Sequence, residues 1–224
     1  MPINYVVQAD VVDIRTDSPL ATDCFFVDTN VWCWMTYTRA SLGKNPPKPQ
    51  KVVDYPAYIG SAIAGKARLL RCGLSLAELA HVIEKNEREI YSQATGFNDR
   101  LTKEFRHNHP VERSRVVAEI ETAWGLVKNM SAPTDILVGA TTTDAALVRF
   151  QSQAVDGYDL FLLEAITRAG VVQVITDDGD YCTVPGICVF TSNLAVLARA
   201  SAQGKLIVRP PPPPPPAPTP RVSP

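Results

Sequence analysis

The sequence lacks a dominant charge of either sign: Lys and Arg number 22 against 23 Asp and Glu, a formal net charge of -1. A polyanion would feel no global attraction, so any nucleic-acid ligand must be steered by a local basic patch. Paired ligand motifs are missing too. The five cysteines, Cys24, Cys33, Cys72, Cys182 and Cys188, are odd in number and form no C-x-x-C pair, which argues against a disulfide framework and a thiolate zinc site. The three histidines have no H-E-x-x-H spacing, and His107 and His109 read as part of a solvated loop. No uncharged apolar run approaches the roughly 20 residues needed to cross a bilayer. The opening Met1-Pro2-Ile3-Asn4 has no basic cluster leading into an apolar core. A soluble cytoplasmic protein without a membrane partner is the expectation.

What is present suffices for one core: 224 residues, 46% of them hydrophobic. Residues 1–23 read as an N-terminal β extension, 24–208 as the main domain and 209–224 as a disordered proline-rich tail. Pro210 to Pro216 is unbroken proline, which can join neither a helix nor a sheet ladder and suits an extended polyproline II segment. Lys44-Asn-Pro-Pro-Lys-Pro-Gln-Lys51 reads as an exposed connection.

Strand and helix signals alternate. Tyr5 to Arg15 alternates as a β segment, and Cys24-Phe-Phe-Val27 is a short apolar run suited to a buried parallel strand. Helical patterns follow over Val31–Tyr37, Tyr55–Leu70 and Ser75–Tyr91, then over a polar region from Asn98 to Asn129 interrupted at His109-Pro110. A strand is expected at Ile136–Val138, helices at Asp144–Phe150 and Asp159–Arg168, strands at Val171–Ile175 and Ile187–Phe190, and a last helix at Asn193–Ala202. Such alternation predicts an α/β fold, a three-layer α/β/α sandwich around a mostly parallel sheet.

Acids fall where such a fold would use them. Val27 runs into Asp28-Thr29-Asn30, and Ile175 into Thr176-Asp177-Asp178-Gly179-Asp180. In an open parallel sheet the carboxyl ends of the strands border the ligand crevice, and neighbouring strands lie about 4.8 Å apart, so acids at two such ends can reach one cation. Asp159 opens a helix that is apolar almost all round, and Glu78 lies in the first turn of the helix beginning at Ser75. Each has a plainer reading. Asp28 or Asn30 can cap the following helix, Ser75-Leu-Ala-Glu78 matches a capping box, Asp159 complements a helix dipole, and Asp-Asp-Gly-Asp is a turn composition. As a set, converging carboxylates need a neutralising cation. Oxygen-only ligands suit Mg²⁺ or Mn²⁺, and such an ion can prepare a water for in-line attack on a phosphodiester.

These residues resemble the PIN-domain nucleases. Phe26-Val-Asp-Thr-Asn30 resembles the first motif, in which an acid ends the first strand. Leu76-Ala-Glu-Leu79 is similar to the helical motif holding the second acid, and Tyr158-Asp-Leu-Phe-Leu-Leu163 to the helix that opens with the third. Val174-Ile-Thr-Asp-Asp-Gly-Asp-Tyr181 resembles the strand-end pattern Thr, any residue, Asp, any residue, Asp and an aromatic. In that register Asp178 is the fourth acid, Asp180 an additional one and Asp177 the variable position. The resemblance implies catalytic Asp28, Glu78, Asp159 and Asp178. It also implies a metal site of Asp28, Asp159, Asp178 and Asp180, with Asn30 and Thr176 in support. It implies divalent-metal-dependent cleavage of single-stranded RNA, and a family rich in toxins of toxin-antitoxin pairs, often homodimeric and held by a small antitoxin.

The chain departs from the compact toxins in its β extension, its long helical region and its proline tail, which leaves room for an RNA-processing role. Arg100, Lys103, Arg106, Arg113 and Arg115 form a candidate phosphate patch, but Asp99, Glu104 and Glu112 intervene, and a solvated helix surface is the plainer reading. Two other classes compete. One is a non-catalytic scaffold that binds RNA or protein. The other is an aspartyl-phosphate phosphotransferase, which wants an acid two residues after Asp28, where Asn30 stands.

Overall fold

Short apolar runs become the central strands here because helices cover both faces of the sheet they form. The computed structural model describes residues 3–155 and 157–210. Its strands are β1 (Asp10–Asp13), β2 (Cys24–Val27), β3 (Arg68–Cys72), β4 (Ala132–Thr134), β5 (Gln173–Ile175) and β6 (Cys188–Thr191). They form one sheet in the order β1-β6-β5-β2-β3-β4, every pair parallel. Eight α-helices among the described residues flank it: α1 (Thr29–Thr36), α2 (Lys51–Ala64), α3 (Gly73–Thr95), α4 (Thr102–Asn108), α5 (Pro110–Met130), α6 (Ala140–Ser152), α7 (Gly157–Arg168) and α8 (Leu194–Ala202). The architecture is a three-layer α/β/α sandwich with an all-parallel sheet.

The pleat sorts the core into two. Phe26, Leu70, Val174 and Val189 face α7 and α8, where Leu162, Leu163, Val196 and Ala200 complete one cluster. Phe25, Val27, Leu69, Ile175 and Phe190 face the other way, against Val31 and Trp32 of α1, Tyr55 and Ile59 of α2, Leu79 and Ile83 of α3 and Val127 of α5. From β2 the chain moves outward to β3 and β4, and β5 later pairs on the opposite side of β2. That reversal between β2 and β5 is the switch point where a crevice opens at the carboxyl ends.

Several elements depart from the sequence-based expectation. The helical pattern over Tyr55–Leu70 divides: α2 stops at Ala64, Lys66 takes a positive φ of 63°, and Arg68–Cys72 becomes β3. Leu69 and Leu70 are buried in opposite clusters, and an apolar pair of that length carries no period to separate strand from helix. The strand expected at Ile136–Val138 is absent. Leu137 there is 82% exposed, and the strand lies instead at Ala132–Thr134, at the sheet edge. An edge tolerates Pro133, whose missing N–H would interrupt a central ladder. Lys51, expected in an exposed loop, is the first residue of α2.

The N-terminal segment is an edge strand of the same sheet, with Val11 aligned to Val189 of β6. The chain beyond α8 returns beside it, Ile207 N–H donating to the Val11 carbonyl at 2.8 Å. Arg209, expected to open the tail, is instead anchored: 13% exposed, it donates to Asp17 and to both oxygens of Asp23 and lies over the Phe190 ring at 4.7 Å. Burial opposes charge on Asp23, but hydrogen bonds from the Leu20 N–H, Gln173 and Arg209 outweigh it and lower its pKa. Residues 211–224, where most of the proline tail falls, lie outside the described residues. No helix among the described residues is long and apolar enough to cross a membrane.

Truncating one partner of a buried ion network leaves uncompensated charge, at a cost of about 3–5 kcal/mol. Arg209→Ala is therefore expected to lower the unfolding free energy by about that amount in denaturant titration, with Arg209→Lys recovering only part because an ammonium cannot grip two carboxylates as a fork does.

Candidate functional site

Parallel pairing of β2 with β5 aligns Val27 with Ile175, so the residues that follow, Asp28 and Thr176, emerge side by side at the carboxyl edge. Asp28 N–H donates to the Ile175 carbonyl at 3.0 Å, and Thr176 Oγ1 donates to Asp28 Oδ2 at 2.6 Å. Asp28 is also the N-cap of α1, its Oδ1 accepting from Thr29 N–H at 2.6 Å. The capping reading is therefore true and incomplete. A cap is normally solvated, whereas Asp28 is 3% exposed, and its pKa is raised well above the usual carboxylate range. Burial is the largest cause, followed by the charges of Asp159 and Glu78 and, more weakly, Asp178, against the lowering effect of the Thr176 hydrogen bond.

Asp159, Glu78 and Asp178 are thus brought within electrostatic reach of Asp28. Glu78 arrives on α3, which follows β3 directly and begins at Gly73, two residues before the expected start. Ser75 is consequently inside the helix, no side chain caps its N-terminus, and the capping box expected for Ser75 and Glu78 does not form. Asp159 lies in the first turn of α7 and accepts a hydrogen bond from Tyr181 Oη at 2.9 Å. Tyr181 is fully buried, and its pKa is pushed well up by desolvation and by the charges of Asp28 and Asp159, with Glu78 contributing less. It was not singled out from sequence. Its signal was the aromatic that ends the strand-end pattern, a position that gives no hint of which acid the ring will hold.

The three aspartates after β5 go to three places. Asp177 turns to the α2 side, accepts from Tyr55 Oη at 2.9 Å and pairs with Lys51. Its carbonyl accepts from Asn193 Nδ2 at 2.7 Å. Asp178 lies on the Asp28 side, its N–H donating to Thr176 Oγ1 and its Oδ1 accepting from Asp180 N–H, both at 2.9 Å. Asp180 acts on Tyr5 and Cys182, whose pKa values rise first through burial and then through its charge. The charges acting on Asp28 include those of Asp159, Glu78 and Asp178. The candidate phosphate patch on the helical region is largely consumed within the fold: Glu84 gathers Arg88, Arg106 and Arg113, and Arg115 pairs with Glu112.

As a donor set for a hard divalent cation, the cluster is right in chemistry, being oxygen-only and rich in negative charge. Thr29 Oγ1, Asn30 Oδ1 and Ser75 Oγ, all on the turns that carry Asp28 and Glu78, are buried without a hydrogen-bond partner among the described residues. Yet among the described residues no group of three His, Cys, Asp or Glu side chains that could hold an ion is found. Together, fold and site define a parallel α/β protein with a cluster of acids around a buried carboxylate at its topological switch point. No protein-family model matches the chain, and no curated protein matches it.

Because the Asp28 pKa is raised in the folded state, the native protein binds more protons than the unfolded chain between the ordinary Asp value, about 3.9, and the raised one. Stability of the metal-free protein should therefore fall as pH rises through that window. Asp28→Asn removes the effect, so the melting temperature of the variant relative to wild type is expected to climb with pH. A difference that stays flat or narrows from pH 4 upward would contradict the burial of charge at Asp28.

Proposed function

We propose that this chain is a divalent-metal-dependent nuclease of the PIN-domain type that hydrolyses phosphodiester bonds of single-stranded RNA. The observation that carries the reading is the convergence of the Asp159, Glu78 and Asp178 charges on the buried Asp28 carboxylate at the switch point. Structural ion pairs lower carboxylate pKa values, whereas Asp28 is raised, first by burial and then by like charges, and a bound cation would offset both.

Asp28, Asp159 and Asp178 would hold Mg²⁺ or Mn²⁺, with Glu78 beside them. When bound, the ion supplies Lewis-acid activation of water and offsets charge on the leaving oxygen. The chain's own residues prepare that site. Thr176 fixes Asp28 through Oδ2, Tyr181 fixes Asp159 through Oδ1, and the Asp180 N–H fixes Asp178. Each hydrogen bond leaves the acid ionisable while limiting its rotation. Buried Tyr181 covers Asp159 on the core side. Under this reading the protein acts in the cytoplasm on single-stranded RNA. As the toxin of a toxin-antitoxin pair, its partners would be a small antitoxin protein and a second copy of the chain.

One observation favours a second reading, a catalytically inactive scaffold that binds RNA or protein. The acids are not arranged as a ready metal-holding group. Cleavage assays on an unstructured RNA with Mg²⁺, Mn²⁺ or chelator separate the two. Metal-dependent cleavage that falls at least a hundredfold in Asp28→Asn and Asp159→Asn, with unchanged circular dichroism, supports the nuclease. Neither cleavage nor metal binding in the wild type supports the scaffold.

Asp177 and Asp178 should separate in the same assay. Asp178→Asn is expected to lose cleavage with little change in melting temperature, and Asp177→Asn to lose stability because Lys51 loses its counter-charge. The reverse pattern would exchange their roles.

A further inference from the structure

Beside the acid cluster, on the same carboxyl edge of the sheet, runs a groove that the four acids do not line. One end is a cavity of about 390 Å³ between α1, α3 and the loop before α2, bordered by Trp34, Tyr37, Asn45, Pro46, Lys48 and Lys51. None of the described residues lining it is acidic. The other end, about 330 Å³, is bordered by Arg15, Lys48, Lys51, Asp54, Asp177 and Asn193. Lys48 and Lys51 line both, so the two cavities adjoin. The peptide that carries Asp177 at the groove carries Asp178 at the acids.

We infer that this groove seats the single-stranded RNA substrate, with one unstacked base against Trp34 and the adjoining phosphate at Lys48. The inference rests on the nuclease reading for its choice of strand. Single-stranded RNA is held by stacking of splayed bases on aromatic rings and by cations along the backbone, and the first cavity offers both, at a volume suited to a single base. Trp34 is braced from behind by Tyr55, ring centroids 5.3 Å apart, and Tyr55 is fixed in turn to Asp177, Thr176 and Thr191. The Lys51 ammonium lies 5.3 Å from the Trp34 ring centroid and pairs with Asp177, so it orders the groove wall and adds little net charge. Lys48 is exposed and has no ion pair among the described residues, which makes it the cation free to meet a phosphate. The proline-rich loop holds it there, since Pro46, Pro47 and Pro49 restrict the backbone on both sides.

The test is fluorescence anisotropy of a short labelled oligouridylate with the full chain in chelator, titrated over salt. Trp34→Leu is expected to weaken binding roughly tenfold or more, with Trp34→Phe restoring most of it. Lys48→Gln should lower the slope of log affinity against log salt by about one; the side chain is exposed, so folding is not at stake. Lys128→Glu, on α5 at the opposite edge of the sheet, should leave binding unchanged. Wild-type affinity and slope in both Trp34→Leu and Lys48→Gln, or no binding by the wild type, overturns the groove even if metal-dependent cleavage is present. Binding that depends on Trp34 and Lys48 without cleavage under any metal overturns the nuclease reading and leaves the groove standing.

Discussion

The parallel pairing of β2 with β5 is the constraint on which the rest depends. It brings chain segments about 150 residues apart into ladder contact, and its register, Val27 against Ile175, decides that Asp28 and Thr176 end side by side. A slip of one residue would turn every side chain to the other face, and Asp28 would point into the cluster of Phe25, Trp32 and Tyr55. The buried aromatics therefore enforce the register that the acids need. Core packing and chemistry are specified by the same alternation.

That alternation also separates two neighbouring aspartates. Thr176 and Asp178 fall on the side of Asp28, while Asp177, one residue between them, falls on the side of α2, where Lys51 and Tyr55 receive it. One charge is neutralised in the fold and the next is added to the acidic group. The tripeptide thus links the acid cluster on one side of the sheet edge to the groove with Trp34 and Lys48 on the other.

Burying like charges costs stability, and the fold offsets the cost elsewhere. Arg209, held by Asp17 and Asp23 under β1, ties the end of the described chain to its beginning. Glu84 collects three arginines and pins the long helical region to α3. These networks are satisfied pairings. The cluster around Asp28 is repulsive, and a site that concentrates unfavourable charge within an otherwise satisfied framework has the energetics expected of a functional site.

Much of the fold was legible because its signals are local. The run Cys24–Val27, the apolar face of α7 and the strand before Thr176 each show their element type within a few residues, and alternation of such elements implies a parallel sheet with acids at one edge. Strands β3 and β4 were not legible. Leu69-Leu70 has no period of its own, and Pro133 is acceptable only once the strand is known to lie at an edge. The early start of α3, the anchoring of Arg209 and the pairing of Tyr181 with Asp159 depend on partners more than 20 residues away or on a strand not visible in advance. The sequence by itself determined the residue types, the order of the acids and the class of fold, because those follow from short-range pattern. Only the tertiary structure decided which acids share a field, which aspartate is neutralised and where Trp34 meets the lysines. Those outcomes depend on register and on long-range burial, which no local pattern encodes.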